Sequence, residues 1–324
     1  MRVQLDLLRC PVEREELRSE GEELVCVAGH RYPVANGVPV LIDDGASIFT
    51  AAGVAASAQA RPSRSALERV AYRIRPTPAS NIAAAERFAR FGEMLAAERG
   101  ETPARVLVVG GGELGEGMNA IAADPRLVLV ETDVYVGGRV AVACDAHRLP
   151  FPDGAFDGVI VQAVLEHVLS PADVVAEIHR VLRTDGLVYA ETPFMQAVHE
   201  GAYDFTRFTD LGHRRLFRMF AEVERGVAVG PATSLLWALR YFARAVPRRA
   251  GLMVRLADFA VSCAAFWLVY LDRSLIGHDG AYDAASGVYF LGRRADQALG
   301  DRELVASYRG AAAGKAASDR GFEA

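Results

Sequence analysis

Apolar residues in this chain arrive in two rhythms, and the switching between them outlines a fold. Short runs rich in β-branched residues stand at 106–109, 127–130, 140–143, 156–161 and 187–191. Their length and content read as buried strands. Helical spacing recurs around them. Ile82, Phe88, Phe91 and Leu95 fall on one face within 81–98, and a second helical stretch covers 66–74. Strands alternating with helices predict an α/β fold, a doubly wound, mostly parallel sheet covered on both faces.

The flanks follow other patterns. A polar run at 13–23 suits an exposed hairpin or loop, and Asn36-Gly37 is a turn signal between two apolar runs. Together they predict a small N-terminal β ribbon module over 1–45. From 45 to 65 the composition shifts to Ala, Gly, Ser and Pro without periodicity, so 46–80 reads as a linker. The core is expected over 81–230, with the helix after its last loop at 210–220. Residues 231–300 read as a helical cap followed by a late strand, 287–291, returning to the sheet edge. Leu235, Leu236, Leu239, Phe242 and Ala243 share one face of the cap, while Arg240, Arg244, Arg248 and Arg249 line another, with Arg255 further on. That basic face is either solvated or a peripheral contact for an acidic surface. Residues 301–324 are expected to be a flexible tail, disordered from 310.

Composition narrows the class. With 324 residues and 51% hydrophobic content the chain can bury a full core. A net charge of −5 gives no broad field for nucleic acid. The N-terminus has no apolar signal-peptide core, and the most apolar stretch, 259–271, is too short to span a bilayer. Four scattered cysteines make no disulfide framework. The expectation is a soluble, cytoplasmic protein.

The candidate chemistry begins where the first core strand ends. Gly110, Gly112 and Gly115 have the G-x-G-x-x-G spacing, and a helix starting near Met118 would aim its N-terminus at a bound nucleotide. Asp133, about 20 residues on, is where a carboxylate grips a ribose diol, with Glu131 in reserve. To this point a nicotinamide-dependent oxidoreductase fits equally well.

Asp145 separates the two. An acid at the end of the third strand, followed by Leu149-Pro150-Phe151 and by Phe156-Asp157-Gly158-Val159, resembles the class I S-adenosylmethionine-dependent methyltransferases, with a type 11 methyltransferase domain. Glu177-Ile178-His179-Arg180-Val181-Leu182 continues the resemblance ahead of the fifth strand. It implies a Rossmann-like methyltransferase fold with Gly110, Gly112, Gly115, Asp133, Asp145, Ala146 and Gln162 holding S-adenosylmethionine. Its usual acid is replaced by Val108, and the glycine loop is one residue longer, which leaves Glu113 or Glu116 to meet the methionine amine. The acceptor is expected to be a small molecule. The alternative is a non-catalytic partner protein that keeps the fold.

Two further segments carry reactive side chains. His199, Asp204 and Arg207 lie in a segment resembling the H-x-x-x-x-D-[YF]-x-R-F-T pattern of some family members, on a loop that meets the cofactor side. His167 ends the loop after the fourth strand, and histidine is the natural base near neutral pH. His167, His199 and Asp204 are therefore the catalytic candidates. For Asp204 and Arg207 the competing reading is a mutual ion pair, with Thr209 capping the next helix. At the N-terminus Cys10-Pro11, Cys26, His30 and the Tyr32-Pro33 segment resemble Trm112-like zinc ribbons. Glu13 stands where a second cysteine belongs, so Cys10, Cys26 and His30 are three candidate zinc ligands, against a metal-free ribbon held by its apolar core.

Overall fold

The computed structural model describes residues 3–58, 81–247 and 251–313. Eleven strands form one sheet: β1 (Leu17–Glu20), β2 (Glu23–Cys26), β3 (Arg31–Ala35), β4 (Val38–Leu41), β5 (Ala104–Val109), β6 (Leu127–Asp133), β7 (Val142–Cys144), β8 (Phe156–Gln162), β9 (Leu182–Pro193), β10 (Phe220–Val229) and β11 (Gly287–Arg294). Their spatial order is β1-β2-β3-β4-β7-β6-β5-β8-β9-β11-β10. The centre, β7 to β9, is parallel, and β11 runs antiparallel between β9 and β10. The order reverses between β5 and β8.

β5 lies fully inside because its side chains serve two cores. Leu107 and Val109 pack with Val159, Val161, Val188 and Ile178, while Val106 and Val108 pack with Phe88, Phe91, Leu95 and Ile160. The helices Pro171–Val181 and Ala84–Arg99 cover these faces. Gly158 lets the second helix approach, since a Cβ there would lie 2.7 Å from both Leu95 Cδ1 and Phe91 Cζ.

The N-terminal ribbon is not separate from the sheet. β4 pairs in parallel with β7, Val40 opposite Ala143 and Leu41 opposite Cys144. Leu8, Cys10, Leu24, Cys26, Tyr32 and Leu41 belong to the same core cluster as Leu107 and Phe156. The expected linker also contains structure: Ala51–Ser57 is a helix, capped by Thr50 and burying Ala51 and Val54 against the β4 side. Alanine-rich composition looked structureless, yet alanine is the best helix former. The helix expected at 66–74 and the tail beyond 313 lie outside the described residues, as do Arg248 and Arg249.

Three other expectations change. The late strand β11 is interior, and the edge is β10, which follows the Asp210–Leu216 helix and had no alternation to announce it. The cap helix Pro231–Ala245 buries Leu236 but leaves Leu235 50%, Leu239 40% and Phe242 71% exposed. The following apolar run is longer than expected. Leu252–Leu275, 24 residues containing an 18-residue window of mean hydropathy 1.8, is long and apolar enough to cross a membrane by length and composition. Its far end is built into the protein: Asp272, wholly buried, accepts from Ala232 N at 2.8 Å, Thr233 N at 3.1 Å and Thr233 Oγ1 at 2.6 Å, capping the Pro231–Ala245 helix.

One buried base sets an acid limit on the fold. His213, 2% exposed, meets the Phe217 ring edge at 5.0 Å between centroids. Burial pushes its pKa down to about 3, with the Arg225 charge adding to the effect. Unfolded, the ring would titrate near 6.5, so the unfolded chain binds more protons and stability falls as pH drops below that value. The slope is about 1.4 kcal/mol per pH unit. Between pH 7 and pH 5 the native chain should lose about 2 kcal/mol more stability than His213→Leu in urea unfolding. Parallel losses would contradict a neutral buried imidazole.

Candidate active site

A cavity of about 1100 Å³ opens at the carboxyl ends of β5, β6, β7 and β8, where the strand order reverses. Open α/β sheets bind ligands at that point. The first contribution is bare backbone. Gly110 has φ +75°, and a Cβ there would fall 2.3 Å from Val164 Cγ2. The expected helix beyond is only Asn119–Ala122, too short to supply a dipole worth the name.

Two carboxylates line the next two strand ends. Asp133 accepts from Gly112 N at 3.0 Å and Val134 N at 2.7 Å, and burial pushes its pKa up. Glu131, the reserve, is one pleat further back and accepts from Arg139 Nε at 2.7 Å. Asp145 accepts from His147 N at 3.0 Å and Nδ1 at 2.6 Å on one oxygen, and from Ser47 Oγ at 2.5 Å on the other. Burial raises the Asp145 pKa, but the His147 and Ser47 hydrogen bonds outweigh it and the net shift is downward. Ser170 N donates to His147 Nε2 at 3.1 Å, which fixes that ring with its proton on Nδ1.

Gly110, Asp133, Asp145 and Ala146 thus stand on the cavity wall. Gly112, Gly115 and Gln162 do not. Gly112 braces Asp133, and Gln162 donates to Glu191 at 2.7 Å beneath the glycine loop, closest where Gly115 lacks a side chain. Glu113 and Glu116 are also off the wall, Glu116 accepting from Asn81 N. Two contributors carry no signal in the sequence, Ser47, which holds Asp145, and Phe49, which lies on the wall. Phe49 stacks on Tyr203 at 5.8 Å across the cavity. Nothing in an Ala/Ser/Gly-rich stretch signals a wall residue.

The catalytic candidates meet at the other end. His167 Nε2 and His199 Nε2 lie 3.1 Å apart. Asp204 is locked rather than free: it accepts from Arg207, from His199 N at 2.9 Å, and lies 3.3 Å from His199 Nδ1. Arg207 holds its carboxyl well below the usual range. Thr209 caps the next helix through Gly212 N at 3.0 Å. The ion-pair reading of Asp204 and Arg207 therefore describes their contacts. Glu166, the residue before His167, is wholly buried, and neither carboxylate oxygen has a hydrogen-bond partner among the described residues. Burial pushes its pKa up to about 7.

A separate cluster forms in the ribbon. His30 Nδ1 lies 3.4 Å from Cys26 Sγ and 3.7 Å from Cys10 Sγ, and these three atoms all fall within 4.8 Å of one another. The fourth side of Cys10 meets Tyr32 Oη at 3.2 Å, while Glu13 offers its backbone N–H and keeps its side chain exposed.

Residues 113–190 match the family described as a methyltransferase domain. No curated protein matches the chain. Among solved structures, a complex of the Haloferax volcanii Trm112 methyltransferase activator with a methyltransferase matches at 15% identity and TM-score 0.39, covering 72% of this chain and 100% of that one. A SAM-dependent methyltransferase from Archaeoglobus fulgidus matches at 12% and 0.39, covering 65% and 94%. The cyclase SpnF matches at 18% and 0.36, covering 64% and 80%. The family match, set on a large sheet that is parallel at its centre and covered by helices on both faces, supports a mixed α/β, Rossmann-like methyltransferase fold.

Proposed function

We propose that this chain is an S-adenosylmethionine-dependent methyltransferase acting on a small acceptor at the His167–His199 end of the cavity. The carrying observation is the pair of wall carboxylates at successive strand ends, Asp133 and Asp145. When bound, S-adenosylmethionine supplies a methyl group on sulfur, already activated for transfer. The chain's own residues hold and orient. An ionised carboxylate has about four acceptor positions. Asp145 uses three of them on His147 and Ser47, leaving one for an adenine amino group. Asp133, braced by Gly112 and Val134, keeps acceptor capacity for a ribose diol. Bare backbone at Gly110 permits close approach, and Phe49, Tyr203 and Val164 exclude water.

The ribbon cluster fits a structural zinc ion. Two thiols and an imidazole are the soft donors such sites use, and the hydroxyl of Tyr32 stands beside them. The cap fits a peripheral contact with an acidic membrane surface. Phe242, Leu252, Met253 and Trp267 are each more than half exposed, and Arg244 and Arg273 lie over the rings of Tyr241 and Tyr270 in the same hairpin.

Three measurements test these readings. Asp133→Ala should weaken S-adenosylhomocysteine binding by at least about 1.5 kcal/mol in calorimetry, the low end for hydrogen bonds to a charged group. An unchanged constant in a folded variant would remove the ribose assignment. Protein prepared without chelators should carry a thiolate-bound zinc equivalent that Cys26→Ser releases; absence of that metal would leave the ribbon held by its apolar core. Phe242→Ser/Trp267→Ser should abolish co-sedimentation with vesicles containing anionic lipid. If the native chain sediments no better with anionic than with zwitterionic vesicles, the membrane reading fails.

A further inference from the structure

The two facing histidines pose a charge problem. His167 Nδ1 lies 2.7 Å from the carbonyl of Tyr203. His199 Nδ1 lies 3.3 Å from an Asp204 carboxylate oxygen and 3.4 Å from the carbonyl of Ala197. Carbonyls and ionised carboxylates only accept, so each Nδ1 carries the proton and each Nε2 presents a lone pair. Those lone pairs then face each other across 3.1 Å. Behind them stands the Glu166 carboxylate, 3.6 Å from His167 Nε2 and 4.0 Å from His199 Nε2. Two ring nitrogens and a carboxyl oxygen converge, and among the described residues no side chain donates a hydrogen bond to that carboxyl group. Arg207, whose charge acts on Glu166, is committed to Asp204 and to the carbonyls of Gln196, Thr206 and Ala197.

We propose that Glu166, His167 and His199 bind a divalent transition-metal ion of the zinc type, at the acceptor end of the cavity. Ligand atoms about 2.1 Å from such an ion stand about 3 to 3.4 Å apart at tetrahedral to octahedral angles. The observed separations of 3.1, 3.6 and 4.0 Å need only a small contraction. All three potential ligand atoms fall within 4.8 Å of one another. Each Nδ1 meets a backbone carbonyl, that of Tyr203 for His167 and that of Ala197 for His199, the kind of outer contact a metal-bound imidazole uses. The loop is also fastened to the glutamate, because Phe205 N and Thr206 N both reach the Glu166 carbonyl, at 2.8 and 3.2 Å. Two imidazoles and one carboxylate leave coordination positions open, and both histidines line the cavity. The ion itself does not depend on methyl transfer. That an acceptor oxygen, hydroxyl or carboxylate, completes its coordination rests on that reading.

Cobalt(II) chloride added to the full chain, stripped of metal, tests the site by its visible spectrum. Cobalt held by Cys10 and Cys26 has a thiolate charge-transfer band; cobalt held by Glu166, His167 and His199 has none. The expected result is an equivalent bound without that band. His199→Ala and Glu166→Gln should each weaken it at least about a hundredfold, beyond the loss that outer partners alone give, and leave the thiolate-bound equivalent in place. His199 is partly exposed, so its variant folds even if Glu166→Gln does not. Cobalt found only with thiolates, or a band-free site that survives His199→Ala, would overturn the proposal and leave a shared proton between the rings. Calorimetry with S-adenosylhomocysteine on the same samples separates the two readings. Cofactor binding without the ion removes only the metal site, and the ion without cofactor binding removes only methyl transfer.

Discussion

The parallel pairing of β4 with β7 decides how the rest of the molecule is arranged. Two rungs, Val40 to Ala143 and Leu41 to Cys144, extend the central sheet into the ribbon. They also fix where the chain leaves β4. Asp43 meets Arg148 at 2.9 Å, Ser47 reaches Asp145, and Phe49 crosses to Tyr203. A stretch with no hydrophobic pattern thereby becomes a wall of the cavity. The ribbon contributes to the site through geometry, by delivering these residues to the sheet's carboxyl edge.

The same edge explains the Glu177–Arg180 pair. Glu177 accepts from Leu149 N at 2.9 Å, and Arg180 donates to the carbonyls of Leu149 and Phe151 at 2.9 and 2.7 Å. Arg14 of the ribbon joins at 2.9 Å. These side chains saturate the turn after Asp145, so the carboxylate is presented at a fixed position. Buried charge is retained here because every partner is present. Glu166 differs: it is buried, yet among the described residues neither of its carboxylate oxygens has a hydrogen-bond partner.

What the sequence made legible was whatever repeats with a period. The alternating strand runs and the glycine spacing located β5 to β9, and Asp133 and Asp145 followed from their places at strand ends. Residues without a pattern, Ser47 beside Asp145 and Phe49 on the wall, were invisible, since their position depends on a pairing between residues about 100 apart in the chain. The cap misled for a related reason. An amphipathic helix has an apolar face, but periodicity does not say whether that face meets a core, and here Leu235, Leu239 and Phe242 meet solvent. The histidines were recognised as reactive types. Their opposition, and the glutamate behind them, required two loops to be folded against each other.

The pairing of β4 with β7 has a consequence for how the protein is made. All four residues of Val38–Leu41 are buried in the finished fold. Leu41 leaves the ribosome well before Cys144, and at roughly 5–20 residues per second a gap of about 100 residues lasts on the order of 5 to 20 s. Throughout that interval an apolar strand has one edge without its partner. Unpaired apolar edges recruit other chains. The nascent ribbon is therefore a segment in need of chaperone shelter during synthesis, and the parallel core cannot relieve it until β7 has been translated.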